Sequence, residues 1–422
     1  MKNIPEIRIK GFEGEWKESV LQENLADNLR TNTLARAFLS DNDGEVLNVH
    51  YGDVLIKYDS LLNAAKDDIP HIKGSKAKDY SDFIQDGDII FADTAEDETA
   101  GKCVEVINVG NNNIVSGLHT IACRPKHTFG KGFLGYYINS PKYHEQLYPL
   151  LQGIKVFSLN KSQLEQTEMR SPESLAEQQS LGSFFSSFDR LLSDHHRRLE
   201  NLRRVKKSML QKMFPQQGQT VPEIRFKGFS GEWEKAKLST FLEVSEEKNS
   251  DNFYGIEDVL SVSGDYGVVN QIEFQGRSFA GASVAGYGVA ETGDVIYTKS
   301  PLKSNPYGII KTNKGKPGIV SVLYGVYHPI KGRTESSFVQ TYFESDARLN
   351  NYLRVLINKG SKNTLLISDE DALRGEVCFP SYEEQQRLSS FFTSLDNLIN
   401  DEVNYIDQLT RVKSTLLQKM FV

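Results

Sequence analysis

The chain has 422 residues, 39% of them hydrophobic and 25% charged, which suits two or three folded domains and excludes a disordered chain. No apolar run approaches the roughly 18 residues of a membrane span, and no signal-like stretch opens the sequence. The three widely spaced cysteines, Cys103, Cys123 and Cys378, predict a reducing cytoplasmic location rather than a disulfide scaffold. The net charge of -7 argues mildly against a nucleic-acid binder, so the local distribution of charge must decide.

A short leader opens the chain as PEIRIKGFEGEW at Pro5 and returns as PEIRFKGFSGEW at Pro222, with ten of twelve letters identical. Both tryptophans of the chain, Trp16 and Trp233, close these leaders. The shared Gly-Phe-x-Gly-Glu-Trp pattern predicts a turn with aromatic packing that anchors the start of the block that follows. We therefore expect no active site in the leaders.

The first block, up to residue 170, is predicted to be an α+β domain of mixed strands, because GDIIFADT at Gly87 places turn residues before a β-rich run. From Val106 to His144 the block carries no Asp or Glu. Such a stretch can present a positive face to DNA phosphates, although a solvated lysine-rich loop surface is the alternative. The candidate DNA-contact residues of the first block are Arg36, Lys73, Lys76, Lys78, Arg124, Lys126, Lys131 and Lys155.

The first closing segment, residues 176–213, begins around Glu-Gln-Gln and runs into LQKMF, and its apolar residues recur in alternating steps of four and three. This spacing predicts a long helix with a coiled-coil seam, in which His195 and Lys206 occupy two positions. At 1.5 Å per residue the seam would span about 50 Å. Its candidate seam residues are Leu181, Phe185, Phe188, Leu192, Leu199 and Leu202.

The second half repeats this order with a different block. GDVIYTKS at Gly293 answers GDIIFADT, and no Asp or Glu occurs between Val295 and Thr334. The mixture of residue types there suits groove reading, in which cations hold the DNA backbone and polar side chains reach base edges. The candidates in this block are Tyr297, Lys299, Ser300, Lys303, Asn305, Tyr307, Lys311, Lys314, Lys316, Lys331 and Arg333.

A second long helix is predicted at residues 383–420, where Glu-Gln-Gln and LQKMF recur 207 positions after their first copies. Its seam is broken at Glu402 and Lys413, which match the two breaks of the first helix. Since neither helix can hide such a stripe alone, the simplest partner of each is the other. The candidate seam residues are Leu388, Phe392, Leu395, Ile399, Ile406 and Leu409.

The chain is thus an internal duplication. The predicted fold class is α+β, with two pseudo-symmetric mixed α/β domains joined by two long helices packed as an antiparallel coiled coil. The predicted boundaries are residues 1–170 for the first domain, 171–217 for the first helical spacer, 218–377 for the second domain and 378–422 for the second spacer.

The sequence contains no phosphate loop, no dinucleotide-binding glycine motif and no Cys or His pair with zinc spacing. It therefore gives no support to catalysis or metal binding by the chain alone. Two other classes stay open. A self-contained methyltransferase would bind S-adenosylmethionine, and a scaffold with two modules on a coiled coil would bind protein rather than DNA. The acid-free stretches in both halves argue against the scaffold.

The two leaders, the two unlike blocks and the two helices that run from EQQ to LQKMF resemble the specificity (S) subunit of type I restriction-modification systems, over nearly the whole chain. The resemblance implies that each block is a target recognition domain and that the helices set the distance between the two domains. It implies a DNA target with two different half-sites and an untouched gap. No base-contact residue carries over, because the blocks vary among family members.

The resemblance also implies the partners of the chain. They are double-stranded DNA, two methyltransferase subunits and, in the full complex, restriction subunits, with no membrane. S-adenosylmethionine, ATP and Mg are expected on those partner subunits and no cofactor on this chain, which is expected to be non-catalytic.

Overall fold

The chain folds into two compact units that share the two long helices. In a computed structural model, unit 1 comprises residues 1–197 with 403–422, and unit 2 comprises residues 198–402. The structure describes residues 3–26, 29–281, 283–302, 305–359 and 365–422. These units cut across the predicted division at residues 170, 217 and 377, because each unit takes part of both helices. That division stays a prediction.

Unit 1 is built mainly from short strands. They are β1 (Lys17–Val20), β2 (Leu39–Ser40), β3 (Leu47–Val49), β4 (Leu61–Asn63), β5 (His71–Ile72), β6 (Ile89–Ala92), β7 (Thr94–Ala95), β8 (Cys103–Ile107), β9 (Ile114–Ser116), β10 (Thr120–Cys123), β11 (Phe157–Ser158) and β12 (Glu168–Ser171). Its helices are α1 (Leu21–Asn24), α2 (Tyr51–Ile56), α3 (Phe133–Ile138), α4 (Pro141–His144), α5 (Lys161–Leu164) and the start of α6 (Leu175–Lys212).

The sheets of unit 1 are mixed, as predicted. One sheet has the strand order β10-β6-β8-β4, with β4 parallel to β8 and the other neighbours antiparallel. A second sheet has the order β2-β5-β3-β9. Both faces of β6 are buried: Ile90 packs with α2 and the second sheet, whereas Phe91 packs with α3 and Trp16. Burial on both faces explains why β6 is a continuous apolar run rather than an alternating one.

Unit 2 repeats this plan with its own strands. They are β13 (Glu234–Lys237), β14 (Leu242–Val244), β15 (Leu260–Ser263), β16 (Gly267–Asn270), β17 (Gly288–Ala290), β18 (Val295–Thr298), β19 (Ile310–Thr312), β20 (Gly318–Val320), β21 (Tyr324–Pro329), β22 (Asn358–Lys359), β23 (Leu365–Leu366) and β24 (Glu376–Phe379). Its helices are α7 (Gln271–Gln275), α8 (Ser336–Tyr342), α9 (Asp346–Arg354), α10 (Asp369–Ala372) and the start of α11 (Tyr382–Met420).

The central sheet of unit 2 has the order β14-β21-β18-β19, with all neighbours antiparallel. It is also covered on both faces. Val295 and Tyr297 of β18 lie in the large core with α8 and the helix ends, whereas Ile296 lies in a smaller core on the other face. The core of each unit therefore surrounds a central strand that follows a Gly-Asp turn.

The two long helices, α6 and α11, begin and end within one residue of their predicted bounds. All twelve candidate seam residues are buried or half-buried. In unit 1, Asp189 pairs with Lys413, and the His195 ring lies 4.6 Å from the Tyr405 ring.

In unit 2, Lys206 Nζ lies 2.6 Å from the Asp396 carboxylate, and Arg198 lies 3.4 Å from Glu402. The polar residues that interrupt the two predicted seams thus meet polar or aromatic partners on the other helix. Across the described part of the chain, no helix combines the length and the apolar character that a membrane span requires.

Candidate nucleic-acid interface

Each leader is fixed to the start of a long helix by a bidentate ion pair. In unit 1, Arg8 Nε and Nη2 each donate to the Glu177 carboxylate at 2.8 Å, and Nη1 donates to the Gly14 carbonyl at 2.5 Å. In unit 2, Arg225 donates to Glu384 at 2.7 Å twice and to the matching leader glycine at 2.6 Å. The two glutamates are 2% and 1% exposed. We call these pairs the unit 1 and unit 2 clamps. They explain why the leader arginine and the helix glutamate recur.

The glutamine after each clamp glutamate ties the block to the helix. Gln178 Oε1 accepts a hydrogen bond from the Gly130 amide at 2.8 Å. Gln385 Oε1 accepts one from the Glu335 amide at 3.0 Å, and its Nε2 donates to the Arg333 carbonyl at 3.0 Å. Both glutamines are buried. The recurrent Glu-Gln-Gln is therefore an anchoring motif, and it presents the two blocks in equivalent ways.

The leader tryptophans are packed aromatics, as predicted, with 2% and 3% exposure. Trp16 makes an edge contact with Phe421, with 6.2 Å between ring centroids, and Trp233 makes one with Phe214 at 5.9 Å. Each LQKMF phenylalanine therefore seats against a leader tryptophan. This contact explains why LQKMF recurs at the end of both long helices, since large aromatic side chains supply much of a core's stabilisation.

A buried aspartate in each Gly-Asp turn pairs with a nitrogen-bearing side chain on a neighbouring strand or at its end. Asp88 Oδ1 and Oδ2 accept from Arg124 at 2.9 and 2.7 Å, and the Asp88 side chain is 1% exposed. In unit 2, Asp294 lies 2.7 Å from His328 Nδ1. Arg124 is thus paired inside unit 1, with its side chain 33% exposed, and its place among the phosphate contacts stays a prediction.

Strand pairing brings together two basic segments of the first block that are 35 residues apart in sequence. Strands β2 and β5 pair with Leu39 opposite Ile72, so the residues before β2 face those after β5. The Lys73 amide donates to the Phe38 carbonyl at 3.0 Å, and Lys73 Nζ donates to the Ala37 carbonyl at 2.6 Å. We call Arg36, Lys73, Lys76 and Lys78 the basic surface of unit 1.

The cations of this basic surface differ in their partners. Arg36 lies 2.5 Å from Asp53 and Lys76 lies 3.0 Å from Glu45, and both cations are more than half exposed. Lys73 and Lys78 are exposed and have no carboxylate partner within the described ranges. Positive charge on this surface is therefore only partly neutralised.

The remaining candidates of unit 1 are scattered. Lys126 Nζ donates to the Gln22 carbonyl and Lys131 Nζ to Asn108 Oδ1, both at 2.7 Å. Lys155 is exposed on the loop before β11. These lysines are not brought together with the basic surface by any strand pairing in the part of unit 1 that the structure describes.

Two candidates of the second block are core residues, which argues against their place among the candidate DNA contacts. Tyr297 is 1% exposed and its hydroxyl donates to the Tyr307 carbonyl at 2.7 Å. Asn305 is 6% exposed and its Nδ2 donates to Asp346 at 2.8 Å. The tyrosine lies on β18, whose two faces are both covered, so the sequence pattern of a solvated strand does not apply there.

Other candidates of this block are half-buried. Lys299 pairs with Asp369 at 2.9 Å, and its side chain is 16% exposed. Burial lowers the pKa of Lys311, in spite of the nearby Glu344. Ser300 and Tyr307 are half-buried as well, and Lys303 lies outside the described residues.

Three exposed candidate lysines of the second block lie at one end of its central sheet. Lys314 and Lys316 follow β19 and Lys331 follows β21, and both strands run antiparallel to β18. These three lysines are therefore at the end where β18 begins, whereas Lys299 is at the end where β18 stops. Arg333 is also exposed, but it pairs with Glu234 at 2.6 Å.

The sequence reasoning missed the clamp residues and Glu105. Arg8 and Arg225 stand at the same place in the two leaders, and that recurrence was a sufficient signal. Glu105 gave no signal, because its role depends on β8 facing α3. Its carboxylate is 3% exposed and accepts from the Gly132 amide at 2.6 Å and the Gly135 amide at 3.0 Å.

Within the described ranges, no cluster of His, Cys, Asp and Glu could hold a metal ion. No known family profile matches the chain. A curated protein of Methanocaldococcus jannaschii, named as a candidate specificity subunit of the type I restriction enzyme MjaX, is 23% identical over 373 residues. The alignment covers 85% of this chain and 83% of that protein.

Solved structures give the same comparison at the level of the fold. The crystal structure of a type I restriction-modification S subunit from M. genitalium matches with a TM-score of 0.57 at 13% identity, covering 99% of each chain. A structure from work on complex assembly and conformational transition of the type I R-M system matches with a TM-score of 0.52 at 14% identity, covering 96% of this chain and 97% of that one. The resemblance to type I specificity subunits that the leaders and helices predict is thus confirmed, in sequence over most of the chain and in fold over nearly all of it.

Proposed function

We propose that the chain is the DNA-recognising specificity subunit of a type I restriction-modification complex. The observation that carries the proposal is a repeated frame with unlike surfaces. The clamp, the hydrogen bonds of the buried glutamine and the contact between tryptophan and phenylalanine are the same in both units. The exposed candidate cations, by contrast, lie in different places. Such a frame suits two readers of two different half-sites. The resemblance to specificity subunits supports the same role, in which the chain itself is not an enzyme.

The DNA contacts that we propose follow from exposure and pairing. In unit 1 they are the four cations of the basic surface, and in unit 2 they are Lys314, Lys316 and Lys331. Exposed cations such as Lys73 and Lys78 can neutralise phosphates at little cost, whereas a paired and half-buried lysine such as Lys299 must first lose its partner. Arg36 and Lys76 are exposed but also pair with carboxylates, so they would contribute less. A negative net charge is compatible with this, because it is the local charge that meets the duplex.

We further propose that α6 and α11 pack as an antiparallel coiled coil that sets the gap between the half-sites. The helix contacts within each unit support this. In unit 1, Asp189 contacts Lys413 and His195 contacts Tyr405. The residue number thus decreases along α11 as it increases along α6, which is the order expected of antiparallel helices. In unit 2, Arg198 with Glu402 and Lys206 with Asp396 follow the same rule. Polar pairs within an apolar seam fix its register.

The same helices carry a feature that suits two copies of one partner. Leu191 and Val205 on α6 are 38% and 45% exposed, and Leu398 and Val412, each 207 positions later on α11, are 48% and 47% exposed. Exposed aliphatic residues that recur at equivalent positions mark a repeated interaction surface. We propose that each surface docks a methyltransferase subunit, and that the restriction subunits join through those. S-adenosylmethionine, ATP and Mg would then be carried by the partner subunits.

One observation favours a scaffold that binds protein as the second candidate. Unit 2 exposes Phe253 by 83% and Tyr266 by 70%, beside the acidic residues Asp251 and Asp265. Exposed aromatic rings next to carboxylates would disfavour DNA and would suit a basic protein. The recurrent anchoring frame and the basic surface of unit 1 favour DNA recognition over this alternative.

Methylation mapping by long-read sequencing tests the proposal. Cells co-express this chain with its methyltransferase subunit and are compared with cells that express the methyltransferase alone. We expect a new methylated motif with two unlike half-sites and a fixed gap, present only when this chain is expressed. An assembled complex that creates no new motif would overturn the proposal and favour the scaffold.

A further inference from the structure

The basic surface of unit 1 contains an exposed aromatic ring. Phe38 ends a short 3₁₀ turn, Arg36–Phe38, and is 57% exposed, although large apolar side chains are usually buried. No acidic residue occurs from Leu29 to Ser40. Asp41 and Asp43 follow this segment, and the lysines after β5 lie opposite it. The ring thus lies beside exposed cations and does not belong to the small core that contains Leu39.

The backbone on both sides of Phe38 is fixed. Its amide donates to the Ala35 carbonyl at 2.9 Å, and its carbonyl accepts from the Lys73 amide at 3.0 Å. Lys73 Nζ also reaches the Ala37 carbonyl at 2.6 Å. These bonds hold Lys73 against the backbone next to Phe38, so that contact with a ligand would order few additional groups.

The charged side chains near Phe38 indicate which kind of ligand would bind there. Two cations of the surface, Lys73 and Lys78, have no carboxylate partner in the described ranges, and Arg36 keeps more than half of its side chain exposed. A polyanion is therefore favoured over an acidic or neutral protein. Phe253 in unit 2 is even more exposed but lies two residues after Asp251, outside the segments that carry the exposed candidate cations of that unit.

Resting on the proposed function, we infer that Phe38 contacts bases of the half-site that unit 1 reads, while Arg36, Lys73 and Lys78 hold the adjacent phosphates. An apolar ring in the major groove distinguishes thymine from the other bases by its 5-methyl group. Phosphate contacts position the protein, and base contacts specify the sequence. Phe38 is thus a specificity-determining residue, and the lysines around it are not.

The experiment maps methylation motifs for the full complex carrying Phe38→Ala, with Phe38→Leu and Phe253→Ala as matched variants. We expect Phe38→Ala to relax one position of one half-site, with about a tenfold loss of discrimination there. The other half-site and the gap should be unchanged. Phe38→Leu keeps an apolar contact and should keep most of the preference, and Phe253→Ala should leave both half-sites as they are.

The outcomes separate this inference from the proposed function. If the unchanged chain yields a bipartite motif and Phe38→Ala yields the identical motif at the same level, the inference is wrong while the proposed function stands. Relaxation spread over both half-sites would also overturn it, because the ring would then act through assembly. Size-exclusion analysis of each complex shows whether a variant still folds and assembles, so that a lost motif can be separated from lost folding. Lys73→Ala provides the last comparison, since it should weaken DNA binding without changing the preferred bases.

Discussion

At the scale of single residues, the clamps decide how the blocks are held. Arg225 lies against a carboxylate that is 1% exposed, and its side chain is itself 15% exposed. Removal of one partner of such a pair leaves the other charge buried and unpaired, which is far costlier than the loss of an exposed ion pair. The clamp is therefore a feature of stability, and a DNA contact is not needed to explain its recurrence.

We predict that Arg225→Ala lowers the free energy of unfolding of unit 2 by about 3 kcal/mol, because Glu384 loses both charged hydrogen bonds. The measurement is urea unfolding followed by Trp233 fluorescence in a Trp16→Phe background, since the chain has two tryptophans, one in each unit. Arg354→Ala, on the exposed side of α9, is the control and should change the free energy by less than about 0.5 kcal/mol. Equal effects of the two substitutions would contradict the role of the clamp.

Glu105 makes unit 1 sensitive to pH. Burial raises the pKa of its carboxyl to about 7, in spite of the amides of Gly135 and Gly132 that favour the charged form. The folded state then keeps the proton that the unfolded chain releases above its ordinary pKa of 4.5. Stability from this group is present below pH 4.5, falls as the pH rises toward 7, and is constant above that. Unit 2 has Thr312 at the equivalent position, opposite the residue that follows its Gly-Asp turn, and a threonine hydroxyl does not titrate in this range.

We predict that between pH 4.5 and 7 the free energy of unfolding of unit 1 falls by about 3 kcal/mol relative to that of Glu105→Gln, in which this group no longer titrates. The comparison with the variant is needed because burial lowers the pKa of His144 to about 4, so that this group adds stability over the same pH range. Trp16 fluorescence in a Trp233→Phe background follows unit 1, with denaturant titrations at several pH values. Glu173→Gln, an exposed residue before α6, is the matched control and should keep the fall. The idea fails if the unchanged chain and Glu105→Gln show the same pH dependence.

At the scale of elements, the sequence predicts the two long helices well, but it predicts poorly which strand residues are buried and which strands pair. The four-three spacing of apolar residues follows directly from helix geometry, and α6 and α11 begin and end within one residue of prediction. The spacing also located the polar positions Lys206 and Lys413, although it could not identify their partners. Those partners, Asp396 and Asp189, lie on the other helix, far away in sequence.

The candidate site was harder to predict, because residues that are close together in an acid-free stretch of sequence need not lie on one surface of the folded chain. The segment from Val295 to Thr334 contains four strands, of which β21, β18 and β19 are antiparallel neighbours in the central sheet, so its described lysines lie at opposite ends of that sheet. Tyr297 alternates into the core and Lys299 finds a carboxylate at Asp369. Conversely, the pairing of β2 with β5 assembles a basic surface from two segments that seemed weak separately. Long-range strand pairing produces both results, and no local pattern encodes it.

At the scale of the whole molecule, duplication repeats the same anchoring contacts in both units, whereas the residues exposed on the two blocks differ. Each unit is completed by the end of a helix that begins in the other unit, as Phe214 and Phe421 show by seating against Trp233 and Trp16. The helices therefore cannot be exchanged or shortened independently of the blocks. This coupling suits the ruler that we propose, because the length of the helices and the seating of both blocks are fixed together.

The ruler is tested by lengthening both helices together. Asp189 and Lys206 are 17 positions apart on α6, as are Asp396 and Lys413 on α11. One heptad inserted into each helix between its two paired residues keeps both ion pairs and adds about 10 Å of helix. We predict that the gap between the methylated half-sites grows by about three base pairs, since B-DNA rises about 3.4 Å per pair along each strand.

A heptad inserted into α6 alone is the mismatch control. The spacing of the two ion pairs would then differ between the helices by about 10 Å, so Asp189 with Lys413 and Lys206 with Asp396 could not form together. We expect that variant to lose stability and methylation, whereas the double insertion keeps both. Methylation mapping gives the gap directly for each variant. A double insertion that methylates the original motif with its original gap would show that the helices hold the units together without setting the distance between the half-sites.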